Sequence, residues 1–394
     1  MQKDIVIVSA VRTAIGTFGG SLKDFSNTDL ATVAVKEALI RAKVDPQSAQ
    51  QIIIGNVIQC DPRDMYISRV AGLNSGMAKQ SAALTLNRLC GSGLQAIITA
   101  ANAIQLGDAD VVVGGGVETM SRAPYVMQAA RWGTRMGDAK LLDMLLGALN
   151  DPFGAGHMGV TAENVADLYK ISREEQDAFA AESQRKAMAA IVAGHFKSQI
   201  VPIEISGRGK TTCFDTDEHP KAGSTAEVLA TLKPAFRKDH GTVTAGNASG
   251  LNDGAAACVL MDAQAASRAN LAPLARLMSY AVAGVEPSLM GTGPIPAVKL
   301  ALERAGLTLD DMDVIESNEA FAAQALGVCR GLELDPAKTN PNGGAIALGH
   351  PLGASGTIIT VKCLHELIRT QKRYGLVTMC IGGGQGIAAV FERF

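Results

Sequence analysis

One order of apolar and polar runs occurs twice along the chain. The helical run Ala34-Val35-Lys36-Glu37-Ala38-Leu39-Ile40-Arg41-Ala42 matches Ala297-Val298-Lys299-Leu300-Ala301-Leu302-Glu303-Arg304-Ala305 at seven of nine positions. Each run leads into a short apolar strand, Ile52-Ile53-Ile54 or Val314-Ile315. The offset is 263 residues, and at that offset Ser92-Gly93 falls on Ser355-Gly356. Both Ser-Gly pairs open runs with apolar residues at helical spacing; the first covers 94–106 and has Gly107 as its stop. An apolar strand follows each, Val111-Val112-Val113 and Met379-Cys380-Ile381, and each ends in three glycines. This repetition predicts two homologous α/β halves, each alternating strands and helices around a largely parallel sheet, with their paired turns facing one another.

The stretch 121–248 has no counterpart in the second half. It carries Trp132-Gly133, the Met144-Leu145-Leu146 run and Asp151-Pro152-Phe153-Gly154. A long helix is expected over 172–193, opened by a capping box of Ser172 and Glu175. A polar segment, 206–224, comes next. An insertion of this size suits a domain that covers a substrate. After it, 255–261 reads as a buried strand returning to the first half. The expected division is therefore 1–120 with 249–271 as one half, 121–248 as an inserted loop domain, and 272–394 as the other half. The opening, Met1-Gln2-Lys3-Asp4-Ile5-Val6-Ile7-Val8, goes directly into a strand.

Composition narrows the class. Hydrophobic residues make up 47% of 394 positions, but no apolar run approaches the ~20 residues of a membrane span. A net charge of -2 argues against a general nucleic-acid surface. The 7 cysteines are scattered, with no Cys-x-x-Cys pair, which fits neither a disulfide framework nor a zinc site. No metal-ligand spacing is evident elsewhere. The thiols fit a reducing compartment, and no signal or transit peptide is visible, so the expected location is cytoplasmic.

The chemistry gathers near the repeated turns. In Asn87-Arg88-Leu89-Cys90-Gly91-Ser92-Gly93 the cysteine lies between a β-leaning run, 83–86, and the helix that starts near Ser92. The free N–H groups of a first helical turn favour negative charge. This placement predicts a lowered thiol pKa and a reactive sulfur, which small Gly91 and Gly93 would leave open to a ligand. His350, between Gly349 and Pro351, falls near the second half's equivalent of that turn, where a base for Cys90 belongs. Asn318-Glu319-Ala320-Phe321 follows the 314–315 strand, at a strand end of the kind that lines sites. Cys380 precedes Gly382-Gly383-Gly384, a loop whose N–H groups could point at a ligand. Gly91-Ser92-Gly93-Leu94-Gln95-Ala96 fits a dinucleotide fingerprint, but the following strand ends in glycines and not in the acidic residue that a ribose requires.

Together, the Asn87–Gly93, Asn318–Ala322, Gly349-His350-Pro351 and Cys380–Gly384 signatures closely resemble the thiolase family along essentially the whole chain. His157-Met158-Gly159-Val160-Thr161-Ala162-Glu163-Asn164 resembles its short-chain biosynthetic branch. Pro62-Arg63-Asp64-Met65-Tyr66 resembles bacterial β-ketothiolases that also take slightly longer chains. Ser317 departs from a common alanine. The resemblance implies a layered αβαβα core with an inserted loop domain. It implies reversible Claisen condensation of acetyl-CoA with acetyl-CoA or propionyl-CoA, and the reverse thiolysis, through an acyl-cysteine.

By the same resemblance, Cys90 is the nucleophile, His350 its activator and Cys380 the acid/base. Asn318, through a water, and His350 would form one oxyanion hole. The N–H groups of Cys90 and Gly382 would form the other. Ser249 and His157 would touch the pantetheine of CoA, between apolar walls from Met158, Phe236, Met290 and Phe321, with Lys221 near the nucleotide end. CoA is then a substrate, and no cofactor or metal is required. The expected partners are acyl-CoA substrates and further copies of the chain, as a dimer or a dimer of dimers, with no nucleic acid and no membrane. The alternatives are a degradative thiolase for longer or carboxylated chains, a ketoacyl synthase, which usually has histidine where Cys380 stands, and a catalytically silent CoA- or lipid-binding relative.

Overall fold

The computed structural model describes residues 3–207 and 209–394; positions 1 and 2 of the expected opening strand and position 208 of the polar segment lie outside the described residues. Its main strands are β1 (Ile5–Thr13), β2 (Gln51–Gly55), β3 (Ala82–Leu86), β4 (Val111–Thr119), β5 (Asn252–Asp262), β6 (Ala275–Gly284), β7 (Val314–Ser317), β8 (Tyr374–Ile381) and β9 (Gln385–Glu392). They lie in the order β7-β8-β9-β6-β1-β5-β4-β2-β3. The two sheet halves pair at Val6 with Arg276 and Ile7 with Ala275. In the first half the order is β1-β5-β4-β2-β3. The second half repeats it as β6-β9-β8-β7, and Thr339 bridges Ile315 in parallel where β3 would stand.

The expectation of a largely parallel sheet fails. Pairs β2–β3, β2–β4 and β7–β8 are parallel, but β1–β5, β4–β5, β6–β9 and β8–β9 are antiparallel. The last strand of each half returns between its neighbours, so crossover connections serve only part of each sheet. The triple glycines also differ from expectation. Gly382–Gly384 does turn β8 into β9, but Gly114, Gly115 and Gly116 lie inside β4, which runs on to Thr119. A Cβ on Gly114 would sit 3.1 Å from the Ile97 Cα, and one on Gly116 would collide with the Gly353 carbonyl. These glycines let helices lie flush on the strand.

The helices are α1 (Asn27–Ala42), α2 (Ile67–Asn74), α3 (Ser92–Leu106), α4 (Met144–Leu149), α5 (Met158–Tyr169), α6 (Arg173–Ala193), α7 (Pro294–Ala305), α8 (Ala322–Leu332) and α9 (Leu352–Thr370). Three apolar cores define the layers. Leu30, Val35 and Leu39 of α1 pack on Val6, Val113 and Val259. Val298 of α7 and Val328 of α8 pack on Ile315, Leu376 and Val390. Between the sheets, Leu94 and Ile97 of α3 and Ile358, Val361 and Leu364 of α9 meet Ile7, Leu260, Val377 and Phe391. The result is an αβαβα stack. The stretch Leu89–Leu106 has a mean hydropathy of 1.2, high for a helix, because it fills this middle layer.

The two middle helices cross at glycine. A Cβ on Gly93 would stand 2.7 Å from the Thr357 N, and one on Gly356 would collide with the Leu94 N. The contacts are reciprocal, since Thr357 is Leu94 moved by the same offset of 263 residues. Both helix starts are thereby held against one another on a pseudo-two-fold axis. The segment 199–218 is fastened to the first half by Arg12, a fully buried guanidinium. It makes two bonds to Asp217 (2.6 and 2.8 Å), one to Gln199 (2.7 Å), and lies 5.1 Å from the Phe196 ring centroid. Glu218 beside it accepts the Thr17 N–H at 2.8 Å and the Ser21 hydroxyl at 2.7 Å.

Gly356→Ala should destabilise the protein by about 1–3 kcal/mol or more, because the new methyl meets backbone and not a side chain that can turn away. Gly147→Ala, in α4 with nothing within 4 Å of its would-be Cβ, should be neutral or slightly stabilising. Chemical denaturation of both variants checks the contrast; equal midpoints would show that the crossing is not tight.

Candidate active site

The turn before α3 is built by local polar bonds. Leu89 has φ +46, an unusual backbone for a residue with a side chain. The Asn87 side-chain oxygen accepts the Leu89 N–H at 2.8 Å. Ser92 Oγ accepts the Arg88 N–H at 2.8 Å and donates to the Leu89 carbonyl at 2.6 Å. Together these bonds force the elbow that presents Cys90. The helix begins only at Ser92, with Gly91 as its N-cap. Gly91 and Gly93 serve packing and not access, contrary to expectation: a Cβ on Gly91 would meet Ile381 at 2.5 Å.

The second half supplies the facing wall. His350 is buried, and its backbone N–H donates to the Asn252 side chain at 2.9 Å. Gly349 has φ +107 and no room for a Cβ beside Asn252, so only glycine lets the chain pass there. The His350 Nδ1 lies 2.6 Å from the Ser355 Oγ, and among the described residues its Nε2 has no protein partner. Gly382 lies under Met158, where a Cβ would come to 2.9 Å of the Met158 Cε.

The insertion closes the top. His157 caps α5, its Nδ1 accepting the Gly159 N–H at 3.0 Å, and stacks on Phe236 at 4.6 Å. Phe236 meets Phe321 edge-on at 6.1 Å. Residues 242–250 are clamped from several sides. Glu163 accepts the Thr242 N–H and the Val243 N–H, each at 2.9 Å, Asn247 donates to Asp177 at 2.9 Å, and the Ser249 N–H donates to the Ala320 carbonyl at 3.0 Å.

One cavity of about 520 Å³ receives ten of the twelve expected site residues: Cys90, His350, Cys380, Gly382, His157, Met158, Phe236, Ser249, Met290 and Phe321. Asn318 lies apart. It is buried, and neither the nitrogen nor the oxygen of its amide finds a protein partner among the described residues. It borders a separate void of about 10 Å³, just the volume of one water probe, which Ser355 and Lys362 also line. Lys221 is exposed and not among the residues lining the main cavity; its backbone N–H donates to Gln184 at 2.9 Å and its carbonyl accepts the Ser224 N–H at 3.4 Å. Residues without a sequence signal complete the cavity: Leu89, Met120, Leu145, Leu149 and Leu352 make an apolar wall beside Cys90. Glu118 escaped notice as well, although a lone acid ending an apolar-and-glycine strand is a readable anomaly. Its buried carboxylate accepts N–H bonds from Val57, Ile58 and Gly353 at 2.8–3.1 Å.

Burial overturns the expected electrostatics. The Cys90 thiol is pushed up to about 11 by desolvation, against a smaller downward pull from the N–H groups of Gly382 and of Cys90 itself. The helix start, two residues on and facing an apolar wall, does not compensate. Burial and the nearby Cys90 raise the Cys380 thiol further. Burial lowers His350 to about 4, so its imidazole is neutral at neutral pH. Glu118 is raised to about 7 by burial, opposed by its N–H donors. The resting cavity therefore holds two protonated thiols and an uncharged base. Such a site can form a thiolate only as it is used, by passing the proton to His350.

Two cysteines and a histidine gathered in one cavity of a duplicated layered α/β core are what the sequence resemblance to thiolases led us to expect. Residues 5–264 match the model of the thiolase N-terminal domain and residues 271–393 that of the thiolase C-terminal domain. The chain belongs to the thiolase family and is an acyltransferase. It is 62% identical over 393 residues to the beta-ketothiolase BktB of Cupriavidus necator, and 55% identical over 395 residues to the acetyl-CoA acetyltransferase of Escherichia coli, with 100% of both chains covered in each case. Among solved structures it superposes on human mitochondrial 3-ketoacyl-CoA thiolase in complex with CoA, with a TM-score of 0.96 at 48% identity, covering 100% of this chain and 98% of that one.

Iodoacetamide should inactivate the protein by alkylating Cys90 first, even though Cys213 is the exposed thiol, because Cys90 shares a cavity with a free imidazole nitrogen and, unlike Cys380 in that cavity, is not fully buried. Because His350 is neutral above about pH 4, the advantage should persist from pH 5 to 8 and fade as the imidazole protonates. Peptide mapping at partial inactivation checks this; label on Cys213 or Cys60 with Cys90 untouched would contradict it.

Proposed function

We propose that this thiolase joins acetyl-CoA to a second acetyl-CoA, or to propionyl-CoA, and cleaves the resulting short 3-ketoacyl-CoA with CoA. The observation that carries the reading is the convergence of Cys90, His350, Cys380 and the Gly382 loop, from distant parts of the chain, on one largely apolar cavity. His350 Nε2 takes the Cys90 proton as the sulfur attacks the thioester carbonyl. The N–H groups of Cys90 and Gly382 hold the developing oxyanion, each donor lowering the barrier by roughly 3 kcal/mol. CoA leaves as a thiol, protonated by Cys380. The Cys380 thiolate then removes a proton from the α-carbon of the second acetyl-CoA, and that carbon attacks the acyl-Cys90; the carbon–sulfur bond breaks, and Cys90 leaves as a thiolate that takes back the proton held on His350 Nε2. His350 and a water on Asn318 stabilise the enolate oxygen. Two acids or bases are needed because one group cannot hold the acyl chain and move the carbon-bound proton at once.

CoA enters as a substrate, and the reaction needs no redox cofactor or metal. The stacked His157–Phe236 pair and Ser249 flank its pantetheine arm, and Lys221 stands toward the nucleotide. The names of the relatives, beta-ketothiolase and acetyl-CoA acetyltransferase, support the short-chain reading. A cytoplasmic location agrees with the free cysteines. A homo-oligomer is supported by β3, an exposed terminal strand whose apolar residues could pair with the same strand of a second copy. The exposed Trp132 and Met136 of the insertion offer a second contact that would join dimers.

Thiolysis kinetics against 3-ketoacyl-CoAs of increasing length test the substrate. We expect kcat/KM to be highest for acetoacetyl-CoA and 3-ketovaleryl-CoA, since Met290, Phe321 and Leu149 wall the cavity. A higher value for 3-ketodecanoyl-CoA would favour a degradative enzyme.

Cys90 and Cys380 should fail differently. Cys90→Ala should abolish every step, including labelling of the protein by radioactive acetyl-CoA. Cys380→Ala should still accept acetyl on Cys90 but lose condensation and α-proton exchange by roughly 100-fold or more. Deuterium uptake into acetyl-CoA at the parent rate in Cys380→Ala would refute the acid/base role. Label appearing on Cys380 in Cys90→Ala would reverse the two sulfurs.

A further inference from the structure

His350 carries one ring proton when neutral, and its chemistry depends on which nitrogen holds it. With the proton on Nδ1, Nε2 has a free lone pair and can accept the Cys90 proton. With the proton on Nε2, the ring can only donate into the cavity and Cys90 has no base. Among the described residues no protein group in the cavity selects between these forms, because Nε2 has no hydrogen-bond partner there. The selection must come from the Nδ1 side.

On that side stands Ser355, buried in the first turn of α9, with its Oγ 2.6 Å from His350 Nδ1 and 2.9 Å from the Pro351 carbonyl. A hydroxyl has one proton to give. A carbonyl can only accept, so the Pro351 bond exists only if Ser355 spends its proton there, as helical serines do toward the carbonyl four residues back. Ser355 is then an acceptor toward the imidazole. The symmetry-related serine shows the same arrangement. Ser92 donates to the Leu89 carbonyl at 2.6 Å and accepts the Arg88 N–H at 2.8 Å; there the direction is unambiguous, because a backbone N–H can only donate. The histidine backbone is also fixed, by Asn252 at 2.9 Å, and the ring itself is buried.

We propose that Ser355 is a positioning residue that sets the tautomer of His350, accepting Nδ1–H because its own proton is committed to the Pro351 carbonyl, and so keeping Nε2 free as the base. The proposal rests on the reading of His350 as the activator of Cys90. The proton balance is simple. Cys90 S–H gives its proton to Nε2, forming thiolate and an imidazolium with both nitrogens protonated. Nδ1–H stays on Ser355 throughout, and the new Nε2–H can later be returned. The other titratable groups lining the cavity are the Cys90 and Cys380 thiols, His157 and Asp143. Beyond Ser355 lies the Asn318 void, where Lys362 is paired with Glu316 at 2.6 Å.

The test is the pH–rate profile of Cys90 alkylation by iodoacetamide in the parent and in Ser355→Ala, Ser355→Thr and His350→Ala. Alkylation breaks the carbon–iodine bond, forms carbon–sulfur and releases iodide, and needs only the thiolate. Ser355→Ala should slow it roughly 10- to 100-fold at pH 7 and turn the profile into one rising with hydroxide, with CoA binding unchanged. Ser355→Thr, which keeps the hydroxyl, should recover most of the rate. If Ser355→Ala keeps the parent rate and profile while His350→Ala is slow, the proposal is wrong and the base reading stands. If His350→Ala is also as fast as the parent, the base reading itself falls. Neutron diffraction of the parent decides the matter without any variant. A deuteron on His350 Nδ1 and none on Nε2 is expected, and the reverse overturns the proposal.

Discussion

The structure depends on how closely two helix starts approach. Gly93 and Gly356 put the backbones of α3 and α9 in direct contact, each glycine against the residue that follows the other. Everything chemical is referred to that crossing. Cys90 lies three residues before Gly93, and His350 six residues before Gly356. A side chain at the crossing would push the helices apart by the width of a methyl group, and the sulfur and the imidazole with them. Effective catalysis of acyl transfer tolerates little of this, since reacting atoms need to be held within a fraction of an ångström. The glycines inside β4 serve the same end, because they let α3 and the start of α9 sit low on the sheet.

The second constraint is dryness. Burial raises both thiols and lowers the histidine, so the cavity rests without a formal charge from these three groups. That state costs little to keep between two apolar layers, whereas a permanent thiolate–imidazolium pair there would carry a desolvation penalty. In the proposed mechanism charge forms as the Cys90 proton passes to His350, with the N–H groups of Cys90 and Gly382 already aimed at the sulfur to share it. Their pull on the resting thiol and their proposed use for an oxyanion are the same electrostatic effect at two moments of one reaction.

Much of this was legible in the sequence, and the misses have physical causes. The repeat of helix, strand and Ser-Gly turn revealed two halves, because periodicity and small residues survive in sequence as they do in space. Cys90, His350 and Cys380 stood out because each lies beside glycines at an element's end. Sheet direction did not, since a strand returning antiparallel between its neighbours has the same apolar pattern as a crossover strand. The glycines of 114–116 looked like a stop because a strand tolerates them only when another backbone presses on it, and the partner, Gly353, is more than two hundred residues away. The lowered pKa expected for Cys90 was wrong because a helix start is a local feature, while desolvation depends on the whole fold. Leu145 and Leu149 were invisible for the simplest reason: a leucine lining a cavity looks like any other leucine.

The duplication explains convergence, and its breakage explains chemistry. At the offset of 263 residues Cys90 corresponds to Gly353, Asn87 to His350 and Ser92 to Ser355. Symmetry delivers two similar turns face to face, and two identical turns would be of no use to a reaction that needs a nucleophile and a base. The halves differ at the one N–H that matters. The Gly353 N–H is taken by the buried Glu118 carboxylate at 2.8 Å, which ties the second turn rigidly to the first half. The equivalent N–H of Cys90 has no such carboxylate and points toward its own sulfur. One turn has thus become a fastening and the other a reactive elbow. The asparagine that shapes the elbow, Asn87, has as its counterpart the histidine that would deprotonate it. A duplicated scaffold whose halves differ at these positions is sufficient to bring the proposed acceptor, base and oxyanion donors to one cavity.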